Sequence, residues 1–145
     1  RDFEKASELA PHDVDVWAGR GDALRQAGRL GEAVTSFSRA LDLVPNHFWS
    51  LLGRGVALRT DNDLEAALED FEAVLKLDDQ DPWVWTHKGE TLRLLGRYDE
   101  AIADFTKALA LDSDFSWALE CRSETYRHMG RFVEAIEDLN RVKAS

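Results

Sequence analysis

The chain has 145 residues, 44% hydrophobic and 32% charged, enough apolar content to offset the ordering entropy of about one domain and to exclude disorder. Its 18 Lys+Arg against 28 Asp+Glu leave a formal net charge of −10, which repels a phosphate backbone and argues against nucleic acid as a partner. One cysteine, Cys121, excludes an internal disulfide framework or a CxxC zinc site and suits a reducing, cytoplasmic setting; no apolar run nears the ~18–20 residues that span a bilayer, so no membrane partner is expected.

Stepping by 34 residues brings like residues into register: Trp17, Leu51, Trp85 and Leu119; Gly21, Gly55, Gly89 and Ser123; Ala33, Ala67, Ala101 and Ala135; Phe37, Phe71, Phe105 and Leu139. The chain opens Arg1-Asp2-Phe3 without an initiator Met and reads as a piece of a longer polypeptide. Residues 1–13, with Phe3, Ala6, Leu9 and Pro11, fit a lone helix, the second half of a preceding repeat. Four copies follow at 14–47, 48–81, 82–115 and 116–145, the last slightly short, so residues 1–145 form a single array. Within the third copy Trp85, Gly89 and Leu92 recur at steps of four and three, one face of a helix. Gly96 interrupts it, and Tyr98, Ala101, Ile102, Phe105 and Ala108 begin a second helical stripe. Gly28, Asn62, Gly96 and Gly130 share the interrupting position, and Gly and Asn tolerate the left-handed conformation that ends many helices. Asp81-Pro82 supplies a capping side chain and then a proline at the first helical position. No segment alternates with period two, so nine helices and no strands are expected.

Each copy is therefore a helix, a tight turn, a second helix and a turn. Small residues at Gly21 and Ala33, or Gly89 and Ala101, let the two helices approach closely, while Trp17, Phe37 and their equivalents fill the space between hairpins. The pattern W-x3-G, then A-x3-F in the second helix and a trailing Pro, resembles the tetratricopeptide repeat (TPR) family; the third copy carries it as Trp85, Gly89, Tyr98, Ala101, Phe105 and Ala108. The trailing Pro stands only at Pro11 and Pro45, and Ser123 replaces Gly. The resemblance covers the whole chain. It implies an all-α, right-handed superhelical solenoid of antiparallel helix pairs, whose first helices line a concave groove that takes peptides or partner proteins. It implies a scaffold, not an enzyme, with no cofactor.

Several motifs resolve into ordinary helix positions. Arg20-Gly21-Asp22 spells an adhesion tripeptide but sits within a helix, and Gly19-Arg20-Gly21 and Gly53-Arg54-Gly55 follow no strand and lack a downstream Lys-Ser/Thr. Cys121, Glu124 and His128 share a helix face with Glu90 on the neighbouring helix, a donor set of the right chemistry for zinc but without paired-ligand spacing, so no metal is expected. Nucleophilic catalysis by Cys121 has His87 and His128 nearby but no sign of an oxyanion hole.

Three rows are candidate binding residues. Trp49, Trp83 and Trp117, with Asp15 in the first copy, occupy the second position of each repeat, where Trp makes a strong interface anchor. Consecutive members should stand ~10 Å apart, matching every third residue of an extended peptide. The alternative is that each Trp fills the joint between hairpins. Arg25, Arg59, Arg93 and Arg127 form a second row able to grip carboxylates or carbonyls. Against that, the row lies at helix C-termini, and Asp22, Glu90 and Glu124 precede three of its members by three residues, whereas Arg59 has Val56 there. His87, Glu90 and Glu124 complete the candidate lining. A further basic row, Arg20, Arg54, Lys88 and Arg122, reads as structural, with stems packed and heads reaching water. A chaperone-tail clamp is not expected, because its Lys, Asn and Arg positions hold Ala18, Asp22, Gly53, Trp83 and His87.

The acidic excess concentrates in residues 48–81, mostly on the second helix and turns, and reads as a solvated outer face. The final helix carries Phe132, Ile136, Leu139 and Val142 and no polar cap follows, so the rival reading is a structural or assembly module, a homo-oligomer built through terminal repeats or a spacer between domains. The leading expectation is a scaffold that binds a protein, a peptide or a partner helix.

Overall fold

Asp13 and Asp81 each precede a helix, and their carboxylates accept hydrogen bonds from the backbone N–H two residues on, at Asp15 (3.0 Å) and Trp83 (2.9 Å). These bonds hold donors that the first turn otherwise leaves free. In the computed structural model, which describes residues 12–144, eight helices follow one another: α1 (Val14–Gln26), α2 (Leu30–Leu43), α3 (Phe48–Thr60), α4 (Leu64–Leu77), α5 (Pro82–Leu94), α6 (Tyr98–Leu111), α7 (Ser116–His128) and α8 (Phe132–Ala144). No strand occurs among the described residues. The lone helix expected over residues 1–13 lies outside them apart from His12 and Asp13, a turn and the cap of α1.

The turn within each hairpin is closed as the glycine column predicts. Gly28, Asn62, Gly96 and Gly130 have φ of 80°, 65°, 80° and 77°. The next residue's N–H then reaches back to a carbonyl five positions earlier, Arg29 to Leu24 (2.9 Å), Asp63 to Leu58 (2.8 Å), Arg97 to Leu92 (2.9 Å) and Arg131 to Tyr126 (2.8 Å). Carbonyls at the helix end are satisfied, and the chain reverses within three residues.

The chain divides into two compact units, Arg1–Leu77 and Asp78–Ser145. In the first, α1–α4 pack as two hairpins, and Phe37 of α2 is the wedge between them. A methyl placed on Gly21 of α1 would lie 2.8 Å from its ring and one on Gly53 of α3 2.5 Å, so the ring occupies the room both glycines leave. Leu24, Ala33 and Ala57 complete this core. In the second unit Phe105 fills the space above Gly89, and Ala108, Leu109, Ala118 and Leu119 form a core flanked by Trp85, Phe115 and Val142. The glycine column thus does more than bring backbones together: it makes the socket for the aromatic ring.

One sequence expectation is corrected here. The row Arg20, Arg54, Lys88 and Arg122 does not simply send its heads to water. Arg54 makes a two-bond fork with buried Asp70 of the following helix (2.8 Å each) and a third bond to Ser38 Oγ of the preceding one (3.1 Å). Arg122 does the same with buried Asp138 (2.8 and 2.7 Å) and Thr106 Oγ1 (3.1 Å). Each arginine thus closes its own hairpin with the fork and ties it to the one before with the third bond, because a guanidinium offers donors on two sides of one plane.

Candidate functional site

The second unit places an aromatic patch at the start of α5 and α7. The Asp81 cap and Pro82 fix the first turn of α5, and this sets Trp83 as its second residue. Its ring stands 4.9 Å from that of Phe115, edge to face, and 5.4 Å from that of Trp117. His87, one turn further along α5, presents its ring edge-on to Trp117 at 4.7 Å. Trp83 remains 53% exposed in spite of these contacts.

The structure corrects the expected ~10 Å rail. Helical side chains lean toward their own N-terminus, so Trp83 and Trp117 both tilt to the end where Phe115 enters from the loop. The rings gather into one patch with centroids 5.4 Å apart. Phe115 was not among the candidate residues. The signal available was its place immediately before the predicted start of the fourth copy, two residues from Trp117.

In the first unit Trp49 is 67% exposed near the start of α3, with its ring edge to face with Phe48 at 5.0 Å. His47, the residue before α3, bonds Ser50 Oγ through Nδ1 (2.6 Å) and holds Nε2 at 3.8 Å from Asp15 of α1. Asp15, which occupies the Trp column in the first copy, is therefore beside the turn that leads into Trp49.

The arginine row is engaged locally. Arg25 donates to Asp22 (2.6 Å), Arg93 forks onto Glu90 (2.9 and 2.6 Å), and Arg127 donates to Glu124. The bond from Arg127 holds the Glu124 carboxyl below the usual carboxylate range, and the bond from Arg93 to Glu90 raises the Arg93 guanidinium. Arg59, with Val56 in place of an acid, lies over the ring of Phe71 at 5.9 Å, a contact within its own hairpin. Every member thus has a structural partner that ligand contact would have to share or replace.

Around Cys121 the same helices build a polar cluster. Burial pushes the thiol up, and the negative charge of Glu90 and a hydrogen bond to it push the same way. It stays protonated near neutrality and is a poor nucleophile. His128 Nε2 lies 3.3 Å from Glu124 and its ring stacks on Tyr98 at 6.0 Å. Among the described residues no group of three or more His, Cys, Asp or Glu is arranged to hold a metal ion. Nor is any helix among them long and apolar enough to cross a membrane.

Comparison with known proteins agrees with this architecture. Tetratricopeptide-repeat models match residues 82–115 and 50–81, and a TPR-repeat model matches residues 21–61. No curated protein matches the sequence. Among solved structures, the MamA 41-end fragment from Desulfovibrio magneticus RS-1 superposes with a TM-score of 0.92 at 22% identity, over 98% of this chain and 80% of that one. A further MamA crystal structure gives 0.89 at 18% identity, over 96% and 81%. The MamA D159K mutant gives 0.81 at 24% identity, over 98% and 83%. At these identities the likeness is one of fold, a series of antiparallel helix pairs. Family and fold together make the molecule a protein-interaction scaffold in the general sense, and the chain belongs to the tetratricopeptide repeat family.

Proposed function

We propose that the protein binds an extended peptide or a partner helix on the face that the first helices of the second unit's hairpins, α5 and α7, present, with Trp83 and Trp117 as the anchoring side chains. The observation that carries this reading is the half-exposed Trp83, joined to Trp117, Phe115 and His87 in one patch. Large rings held by their neighbours have little motion left to lose on binding, which is what makes Trp an efficient anchor. Trp49 serves the same role on the first unit. Arg25, Arg59, Arg93, Arg127, Glu90 and Glu124 act as polar surroundings more than as anchors, since each already has a partner within its own hairpin. The reading assigns no catalysis, in keeping with a Cys121 thiol that burial and Glu90 keep protonated. A free thiol also suits the cytoplasm.

The test uses peptides selected from a displayed random library on the intact chain. Trp83→Ala and Trp117→Ala should each weaken the selected peptides by about 1–2 kcal/mol, roughly five- to thirtyfold, with unchanged helix content by circular dichroism. Peptides that bind both variants as they bind the parent would remove the patch as the site.

A second reading, self-assembly, has one observation in its favour. On α8, Phe132, Val133, Ile136 and Leu139 are 60%, 70%, 57% and 45% exposed, whereas Phe37, Phe71 and Phe105, which hold the Leu139 position in earlier copies, are at most 2% exposed. This face fits a further helix, from another repeat or a second chain.

A further inference from the structure

Resting on the peptide-binding reading of the Trp83–Trp117 patch, we infer that its partner is cationic: a segment in which Lys or Arg stands next to a large apolar residue. The argument begins with the charges around the patch. Asp78, Asp79 and Asp81 precede α5, and Asp112 and Asp114 precede α7. Asp81 is bonded to the N–H of Trp83 itself, and Asp114 directly precedes Phe115, whose ring touches Trp83. The loop before α5 is pinned at this end as well, since Trp85 Nε1 donates to the Asp79 carbonyl (2.8 Å).

What these carboxylates bond to leaves their charge in place. Asp78 accepts from Gln80 N–H (3.0 Å), Asp79 from Gln80 Nε2 (2.7 Å), Asp81 from Trp83 N–H, and Asp112 from Asp114 N–H (3.2 Å). All of these donors are neutral. Among the described residues, no ion pair joins any of the five to Lys, Arg or His. The opposing positive charges are fewer: the N-terminal dipoles of α5 and α7, each equivalent to ~0.5 of a charge; Arg141, which donates to the Ser113 carbonyl between Asp112 and Asp114; and, over the ring of Trp85, Lys107 at 5.7 Å and Lys88 at 5.6 Å, the latter shared with Asp104. The patch therefore lies in a negative field. The arginines of α5 and α7 do not reverse it, because Arg93 and Arg127 sit in the last turns of those helices, at the far end from the patch, and are bonded to Glu90 and Glu124.

Indole faces and carboxylates side by side select a particular ligand chemistry. A Lys or Arg lays its methylene stem on an indole and is drawn by the ring's negative face, while its head reaches the acidic rim. An acidic segment meets the same rim with repulsion, as does a phosphate backbone. The rim also raises the encounter rate of a cationic partner, at low salt above all.

The test pans a displayed random library of peptides of about 12 residues, ~40 Å when extended, on the whole chain. Selected peptides that depend on Trp83 should carry net positive charge and lose affinity as salt is raised from about 50 to 500 mM. Asp81→Asn and Asp114→Asn remove charge while keeping an amide oxygen able to cap, and each should weaken these peptides about threefold. Trp83-dependent peptides that are neutral or acidic, or that ignore salt and both Asn variants, would overturn the cationic partner and leave the peptide-binding reading standing. Peptides indifferent to Trp83 and Trp117, or no selected peptides at all, would overturn both.

Discussion

Phe105 is fully buried, and a methyl added at Gly89 would lie 2.6 Å from its Cε1 and 2.8 Å from its Cδ1. Alanine normally favours a helix over glycine by about 0.5–1 kcal/mol, but forcing an atom into a filled core costs about 1–3 kcal/mol. Gly89→Ala should therefore lower stability by about 1 kcal/mol in urea unfolding; a gain would mean that the ring has room to retreat. The glycine and phenylalanine columns were legible from the 34-residue period, as were the left-handed caps at Gly28, Asn62, Gly96 and Gly130. What was not legible is that one ring serves two glycines. Phe37 sits against Gly21 in its own hairpin and Gly53 in the next, and that depends on how the hairpins stack. The aromatic patch was half legible for a similar reason: the Trp column fixes where Trp83 and Trp117 begin, but their convergence on Phe115 is decided by side-chain tilt and the path of a loop.

Between elements, the fork of Arg on Asp is a repeated fastening at Arg54 and Arg122, and the Lys88 copy makes a test. Lys88 Nζ stands 3.7 Å from Asp104 Oδ2, where Arg54 and Arg122 each place two bonds of 2.7–2.8 Å on the equivalent carboxylate. Lys88→Arg should raise stability by up to about 1 kcal/mol, read as a higher melting temperature, because a planar fork replaces a single long contact. An unchanged or lower melting temperature would show that the site does not admit the fork. The Asp70, Asp104 and Asp138 column stands sixteen residues after the basic row in plain view in the sequence, but a carboxylate is expected at the surface and burial is visible only once the hairpins pack. On α7, Glu124 has a folded pKa held below its unfolded value of about 4.3 by Arg127. Its contribution is therefore present above that value and is lost as pH falls through the folded pKa. Comparing Glu124→Gln with the parent across a pH series of thermal melts should show a small parental advantage at pH 7, at most about 1 kcal/mol for so exposed a pair, that vanishes in acid. A difference that persists at pH 2 would assign the effect to packing.

At the scale of the whole molecule, the aromatic patch of the second unit and the apolar face of α8 are both exposed among the described residues, and they make separate predictions. If α8 drives assembly, Val133→Glu and Ile136→Lys should abolish any concentration-dependent mass seen by light scattering while leaving peptide binding intact; their exposure of 70% and 57% makes both changes tolerable to the fold. A strictly constant monomer mass for the parent would remove the assembly reading. The patch is tested most directly by the indole N–H resonances of the five tryptophans as a selected peptide is added. The account predicts that Trp83 and Trp117 shift together and saturate at the same peptide concentration, while Trp17, in the first unit between Arg20 and Arg39, stays in place. Saturable binding that leaves the Trp83 and Trp117 signals unmoved would contradict it.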